Sequence, residues 1–278
     1  MNQEKRILVC EDSMEGIFSA VYDGWKECAG GCKVSIQTSF PVSMELFTSY
    51  REIATDQSKV GKVMRTILMR LGSEVYEQIC LAAASADEDR GTASYYVLHR
   101  AFGGGRCEKR VMEALADPYV SRVAKLALCV KREYHHYFGF VRFREIGGRF
   151  LLAKIQPGND ILSLMALHFS NRFPNENWVI YDEKRQKALC HEKGKECVMR
   201  KEVRIQVPGS AVGDMGEYEE LWQTFCDSIS IEARRNEKLQ KQMLALHFRS
   251  NMPISKIRVI MLTDKVSLFG RQQTSKRR

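Results

Sequence analysis

The hydrophobic period changes sharply in the middle of this chain, and that change constrains the fold more than any other feature. From Asp117-Pro118 onward, Val120, Val123, Ala124, Ala127 and Leu128 recur at three- and four-residue spacing, which predicts an amphipathic helix running to about His135. Asp117 supplies the cap, and Pro118 takes the first helical position, where no amide hydrogen is needed. Beyond the helix, Phe140–Glu145 alternates, Gly147-Gly148 is a tight-turn signal and Arg149–Ile155 alternates again, so a β-hairpin is expected. Pro157-Gly158-Asn159-Asp160 ends it and caps a helix over Ile161–Arg172, after which Trp178–Tyr181 and Gln186–Cys190 read as a second strand pair. The order ββαββ, with helices before and after, predicts an α+β fold with a mainly antiparallel sheet.

The flanking segments are mainly helical. Ile7–Val9 reads as a short strand, followed by a helix through Ile17, Phe18, Ala20, Val21 and Trp25 and a glycine loop over Cys28–Lys33. Asp56 or Ser58 caps a long helix that carries Val60, Val63, Met64, Ile67, Leu68 and Leu71 on one face. Helices over 73–86 and 93–102 follow. Gly103-Gly104-Gly105 terminates the last of these; no Gly-Lys-Ser/Thr comes after it, so it is not a phosphate loop. Further on, 207–216 is a Pro/Gly loop, and 217–229 and 232–248 are helical. The chain thus divides into a mainly helical part with one short strand (1–116), a basic α+β part (117–253) and a flexible basic tail (254–278).

Charge separates these parts. Residues 1–90 hold 10 basic and 14 acidic side chains, residues 91–278 hold 33 and 20, and the whole chain carries +9. A positive field draws polyanions, so DNA or another nucleic acid is the first partner to expect and an anionic membrane surface the second. No apolar run approaches the ~20 residues of a membrane span. Ile7–Cys10 is too short for a signal-peptide core, so a soluble, cytoplasmic protein is expected. Nine cysteines, an odd number, fit reduced thiols better than a disulfide framework. Cys28 with Cys32, and Cys190-His191 with Cys197, each lack the further ligands of a metal centre, and no cofactor motif is present. Neither a metal nor a cofactor is expected.

Several residues could carry function. Arg142 and Arg144, two apart on the expected strand, share a face that would track phosphates, with Phe140 placed to stack a base. The same arginines would equally suit a solvated face paired with acids. Glu133 and His135, with His136 beside them, offer a carboxylate and an imidazole for acid–base work or for mutual structural satisfaction. His168 and Arg172, at i and i+4, share a helical face suited to phosphate. Asp182 ends its strand as a catalytic carboxylate or a turn residue, and Trp178 could stack on an extruded base. Arg234, Arg235, Asn236 and Gln240 lie along the last basic helix, which fits a nucleic-acid backbone.

These motifs, in order, resemble a known family. Glu11-Asp12-Ser13-Met14-Glu15-Gly16-Ile17-Phe18 is similar to its opening YDGSFEGF, and Thr55-Asp56-Gln57-Ser58-Lys59 to its TDxxKA segment. The centre is closer: Asp117-Pro118, Arg132-Glu133-x-His135, Phe140-Val141-Arg142-Phe143, Pro157, His168-Phe169, Arg172-Phe173, Trp178-x-Ile180-x-Asp182, Leu221-Trp222 and Ile231-x-x-Arg234-Arg235-Asn236 with Gln240. The chain resembles, over roughly residues 5–253, a bacterial DNA-repair or DNA-metabolism family without an assigned reaction. Its members are usually encoded beside a radical-SAM protein and are sometimes fused to a uracil-DNA-glycosylase-type domain. The resemblance implies work on DNA with a radical-SAM partner and names no reaction. The sequence departs from the pattern at Glu11-Asp12, His136, Ala245 and Phe248. In the tail, Val266-Ser267-Leu268-Phe269 is similar to the apolar peptide by which bacterial repair proteins hook onto the DNA sliding clamp, with Lys265 where a Gln leads. Three functions remain distinguishable: a DNA-binding accessory, a hydrolase on damaged DNA using Glu133, His135 and Asp182, and a protein-binding scaffold.

Overall fold

The computed structural model describes residues 5–205, apart from 29–31, 42, 104–108, 147 and 149, and residue 228. The chain separates into two units: Met1–His135 with Gly158–Ile161, and His136–Pro157 with Leu162–Arg278. The expected boundary at residue 117 is the start of a helix; the division between units falls later in that helix, after His135.

The first unit is organised by β1 (Lys5–Cys10), whose last four residues, Ile7, Leu8, Val9 and Cys10, are all buried. A strand apolar on both faces belongs in the middle of a parallel sheet. β1 indeed lies between β2 (Lys33–Gln37) and β3 (Thr48–Ile53), parallel to both, with Leu8 opposite Ile36 and Arg51. Helix α1 (Met14–Cys28) makes the crossover from β1 to β2 and buries Ile17, Phe18, Ala20 and Val21. Burial pushes the Cys10 thiol up to about 12, so it serves as packing. Helix α2 (Gln57–Leu71) starts where Asp56 accepts the Ser58 amide at 2.8 Å and ends at Gly72, whose φ of +96° favours glycine. Helices α3 (Ser73–Ala83) and α4 (Arg90–Gly103) follow. A Cβ at Gly91 would stand 2.9 Å from the Ile36 carbonyl oxygen, so only glycine admits this approach of α4 to β2. Beside it the Thr92 hydroxyl accepts from the Ile36 amide and donates to the Ile36 carbonyl, each at 3.0 Å.

Helix α5 (Pro118–Phe140) begins as expected. Asp117 accepts the amides of Tyr119 and Val120 at 2.8 and 3.2 Å and the Arg100 guanidinium at 2.6 Å. Burial pushes its carboxyl up, but these bonds outweigh it and hold the group below the usual carboxylate value.

The second unit carries a five-stranded sheet in the order β4-β5-β6-β7-β8. β4 (Arg144–Ile146) and β5 (Phe150–Ile155) are an antiparallel pair, with Gly148 between them at φ +66°. The chain then passes through α6 (Leu162–Arg172) into β6 (Trp178–Asp182), parallel to β5, and returns antiparallel as β7 (Lys187–His191) and β8 (Val198–Arg200). Leu162, Met165 and Phe169 form the buried stripe of α6, and Phe169 and Phe143 meet Trp178 edge-on at 6.2 Å.

Two fold expectations change. The chain is mixed α/β with two sheets, and the first sheet is wholly parallel, so a single mainly antiparallel sheet does not describe it. The first 116 residues hold three strands, not one. β3 reads Thr-Ser-Tyr-Arg-Glu-Ile and buries only Ile53, leaving almost no apolar signal, and β2 shows just Val34 and Ile36. The strand expected from Phe140 begins at Arg144, because α5 continues through Phe140. The expected loop at 207–216, the helices at 217–229 and 232–248 and the tail at 254–278 lie outside the described residues. Among the described residues no helix is long and apolar enough to cross a membrane.

Candidate functional site

The second unit gathers three of the expected basic side chains, Arg142, His168 and Arg172. His168 and Arg172 stand one turn apart on α6, which fixes them on a common face. The His168 ring stacks on Phe138 at 4.0 Å between centroids and 12° between planes. Its Nε2 is buried with no hydrogen-bond partner among the described residues. Arg142 follows the end of α5 and donates to the carbonyls of Gly139 at 2.7 Å and Val141 at 3.0 Å, closing the last turn of that helix. Burial lowers the pKa of both Arg142 and His168 from their ordinary values, and the positive charge of Arg172 lowers each further. Arg172 is therefore electrostatically close to both. The Arg172 guanidinium lies 5.6 Å from the Phe173 ring. Among the described residues no carboxylate pairs with Arg142 or Arg172. Two mutually repelling guanidinium groups beside a stacked imidazole are relieved by an anion, and a phosphate fits their forked donors.

The other candidates stand elsewhere. Arg142 is not on the strand with Arg144, so the two do not form the expected same-face pair; Arg144 is exposed on β4 opposite Leu152. Phe140 is the last residue of α5, edge-on to His136 at 6.3 Å. Trp178 is fully buried and stacked on His191 at 5.0 Å, so its ring face is consumed inside the unit and offers nothing to a base. Arg234, Arg235, Asn236 and Gln240, and the apolar peptide Val266–Phe269, lie outside the described residues.

The three residues considered for acid–base chemistry fall in different units, Glu133 and His135 in the first and Asp182 in the second. Glu133 Oε1 accepts the Gly158 amide at 2.7 Å; Oε2 accepts the Asn159 amide at 3.0 Å and its side-chain Nδ2 at 2.6 Å. Asn159 in turn accepts the Ala86 amide through Oδ1 at 2.9 Å, and the Asp160 amide donates to Ala84 at 2.9 Å. Glu133 thus anchors the 158–160 loop, while His135 is exposed on α5. Asp182 is fully buried and accepts the amides of Lys184 and Arg185 at 2.9 and 3.2 Å, together with the Arg185 guanidinium at 3.2 Å. Burial raises its carboxyl above the usual range even though these bonds pull the other way. This is the geometry of a residue that shapes the β6–β7 turn. Of the two cysteine groupings, His191 bonds the Glu176 carbonyl through Nδ1 at 2.9 Å, and Cys197 Sγ lies 3.0 Å from Ser170 Oγ. Among the described residues no group of three or more His, Cys, Asp or Glu could hold a metal ion.

Sequence reasoning missed Phe138, which orients His168, and Arg185, which ties Asp182 to the Pro157 carbonyl at 3.1 Å. Arg185 sits three residues from Asp182 in a turn, a spacing that could have suggested the pair; nothing local links Phe138 to His168.

A mixed α/β chain whose second unit sets two arginines without a carboxylate partner among the described residues is what fold and geometry define. The chain belongs to the family of a domain of unknown function, DUF4130, whose model matches residues 88–253. No curated protein matches it. Among solved structures, a DHH-domain protein described as a member of the S1p family of ribosomal proteins aligns at 10% identity, covering 69% of this chain and 74% of that one, with a TM-score of 0.24. A similarity that low carries no argument about fold or function.

Proposed function

We propose that this chain is a DNA-binding protein of DNA repair or DNA metabolism, which holds the DNA backbone while a radical-SAM partner performs the chemistry. The observation that carries the binding half is that Arg142 and Arg172, two guanidinium groups near enough to repel each other beside the Phe138-stacked His168, have no carboxylate partner among the described residues. The excess of 33 basic over 20 acidic side chains after residue 90 supplies a matching long-range field. Repair as the setting, and the radical-SAM protein as partner, rest on the ordered motif resemblance from Asp117-Pro118 to Gln240. In this reading Arg142 and Arg172 grip phosphate, and Arg144, Arg234 and Arg235 extend the contact along the strand. Glu133 and Asp182 act by holding loops, not by moving protons to or from substrate.

Fluorescence anisotropy with a labelled oligonucleotide at several salt concentrations tests the binding half. Arg142→Ala with Arg172→Ala should weaken binding and flatten the dependence of log K on log salt by about two phosphate contacts' worth. Unchanged affinity and slope would overturn the assignment.

A further inference from the structure

The first unit holds a second meeting place of cations and aromatic rings, which the proposed function does not use. Helices α1, α2 and α4 leave between them an open groove of about 530 Å3, within the roughly 300–1,000 Å3 typical of small-ligand sites. Its floor is apolar, made by the buried side chains of Val21, Ile67 and Leu98. Tyr22, Trp25 and Phe102 supply aromatic walls. Trp25 is 38% exposed, yet it is steadied by the edge of Phe102 at 5.8 Å and by His99 at 5.4 Å. An exposed indole held by its neighbours loses little freedom when something stacks on it.

The cations come from helical spacing. Tyr22 and Lys26 are four apart on α1, while Lys59, Lys62, Thr66 and Arg70 follow three- and four-residue steps along α2. The ammonium groups of Lys26 and Lys62 lie 5.0 and 5.7 Å from the centre of the Tyr22 ring. Lys59 lies 6.0 Å from the same ring but is tied to Asp23 at 2.8 Å. The nearby carboxylate of Glu27 is taken by Arg51 at 2.7 Å and Arg6 at 3.5 Å. Among the described residues, Lys26 and Lys62 have no carboxylate partner. An apolar slot with an exposed aromatic face and unneutralised cations beside it matches one ligand chemistry: an aromatic base that carries a phosphate.

We propose that this groove binds a nucleoside phosphate, with the base against Trp25 and the phosphate between Lys26 and Lys62. The nucleotide is either free or part of a strand, and the same contacts serve both. The site is separate in sequence and in unit from the Arg142/Arg172 pair, so the two proposals fail independently.

Titration calorimetry on the full chain with dAMP tests it, with deoxyadenosine and inorganic phosphate as partial ligands. dAMP should bind more tightly than either part. Lys26→Ala with Lys62→Ala, and separately Trp25→Ala, should each weaken it by roughly tenfold or more, and should do so equally in a chain that also carries Arg142→Ala with Arg172→Ala, which removes any phosphate held by that pair. Lys26 and Lys62 are exposed, and Lys62→Arg keeps the charge and should keep most of the affinity, which separates loss of contact from loss of fold. A (dA)6 oligonucleotide that displaces dAMP identifies the strand as the source; dAMP binding without such displacement identifies the free nucleotide. Absence of dAMP binding, or groove variants that bind dAMP like the wild type, would overturn the proposal.

Discussion

Each unit contains a carboxylate that grips backbone amides and a set of cations beside an aromatic ring, but the two units assemble these parts over different distances along the chain. In the second unit the contacts are mostly local. Asp182 bonds residues two and three positions on, Arg142 bonds carbonyls one and three positions back, and His168 and Arg172 share one turn. In the first unit they are remote. Glu133 reaches amides 25 and 26 residues away, and the nucleotide groove takes its walls from three helices. Local charge also departs from regional charge: the 10 basic and 14 acidic side chains of residues 1–90 look inhospitable to an anion, yet several of those acids are spent in ion pairs and leave Lys26 and Lys62 facing the groove.

If the remote contacts of the first unit are the costly ones to lose, Glu133→Ala should produce the largest effect. It removes three bonds to one charged acceptor and leaves Asn159 with unmet donors. Denaturation should show a loss of about 3 kcal/mol, and hydrogen exchange at the Gly158 and Asn159 amides should quicken. An unchanged transition would erase the contrast between the units.

Arg172→Ala probes the second unit more gently. Burial remains the main reason His168 titrates below its ordinary 6.5, and the charge of Arg172 is the second. Removing that charge should move the imidazole upward in a proton NMR titration, as should a bound oligonucleotide. Because the folded-state pKa is depressed, wild-type stability from this group is present above the unfolded value and is lost as pH falls through the folded one. Arg172→Ala should lessen that loss. A static His168 titration would separate Arg172 from the cluster.

The smallest effect should come from Asp182→Asn, which retains an acceptor for the Lys184 and Arg185 amides. The folded-state pKa of Asp182 is raised, so wild-type stability relative to the variant should grow as pH falls through that value and shrink as pH rises. Thermal melts of both proteins between neutral and acid pH read this directly. A difference of the opposite sign would mean that the Arg185 ion pair outweighs burial.

The same division by distance explains what could be read without the structure. Asp117-Pro118 announced the start of α5 because capping needs only neighbouring residues, and α6 was evident from its repeat and from Pro157–Asp160 before it. The end of α5 was not. Phe140-Val141-Arg142-Phe143 alternates like a strand, and only the Arg142 bonds back to Gly139 and Val141 show it closing a helix. β3 was hidden because its polar residues cross-pair with β1 through backbone alone. In the candidate site, the His168–Arg172 spacing was legible, whereas the stack on Phe138 spans separate elements. Trp178 was misjudged as a base-stacking ring because alternation does not tell whether both faces of a strand are covered; β6 is buried along nearly its whole length.

The Thr92 hydroxyl bears on solubility in crowded conditions as well as on packing. β2 is one of the two outer strands of its sheet, and the Ile36 amide and carbonyl are the groups a stray strand from another molecule would seize. With one side chain, Thr92 answers both of them, and Gly91 lets α4 come close enough for it to do so. At this point of the rim the sheet has no vacancy to offer, so intermolecular pairing at this position of β2 is blocked by a helix.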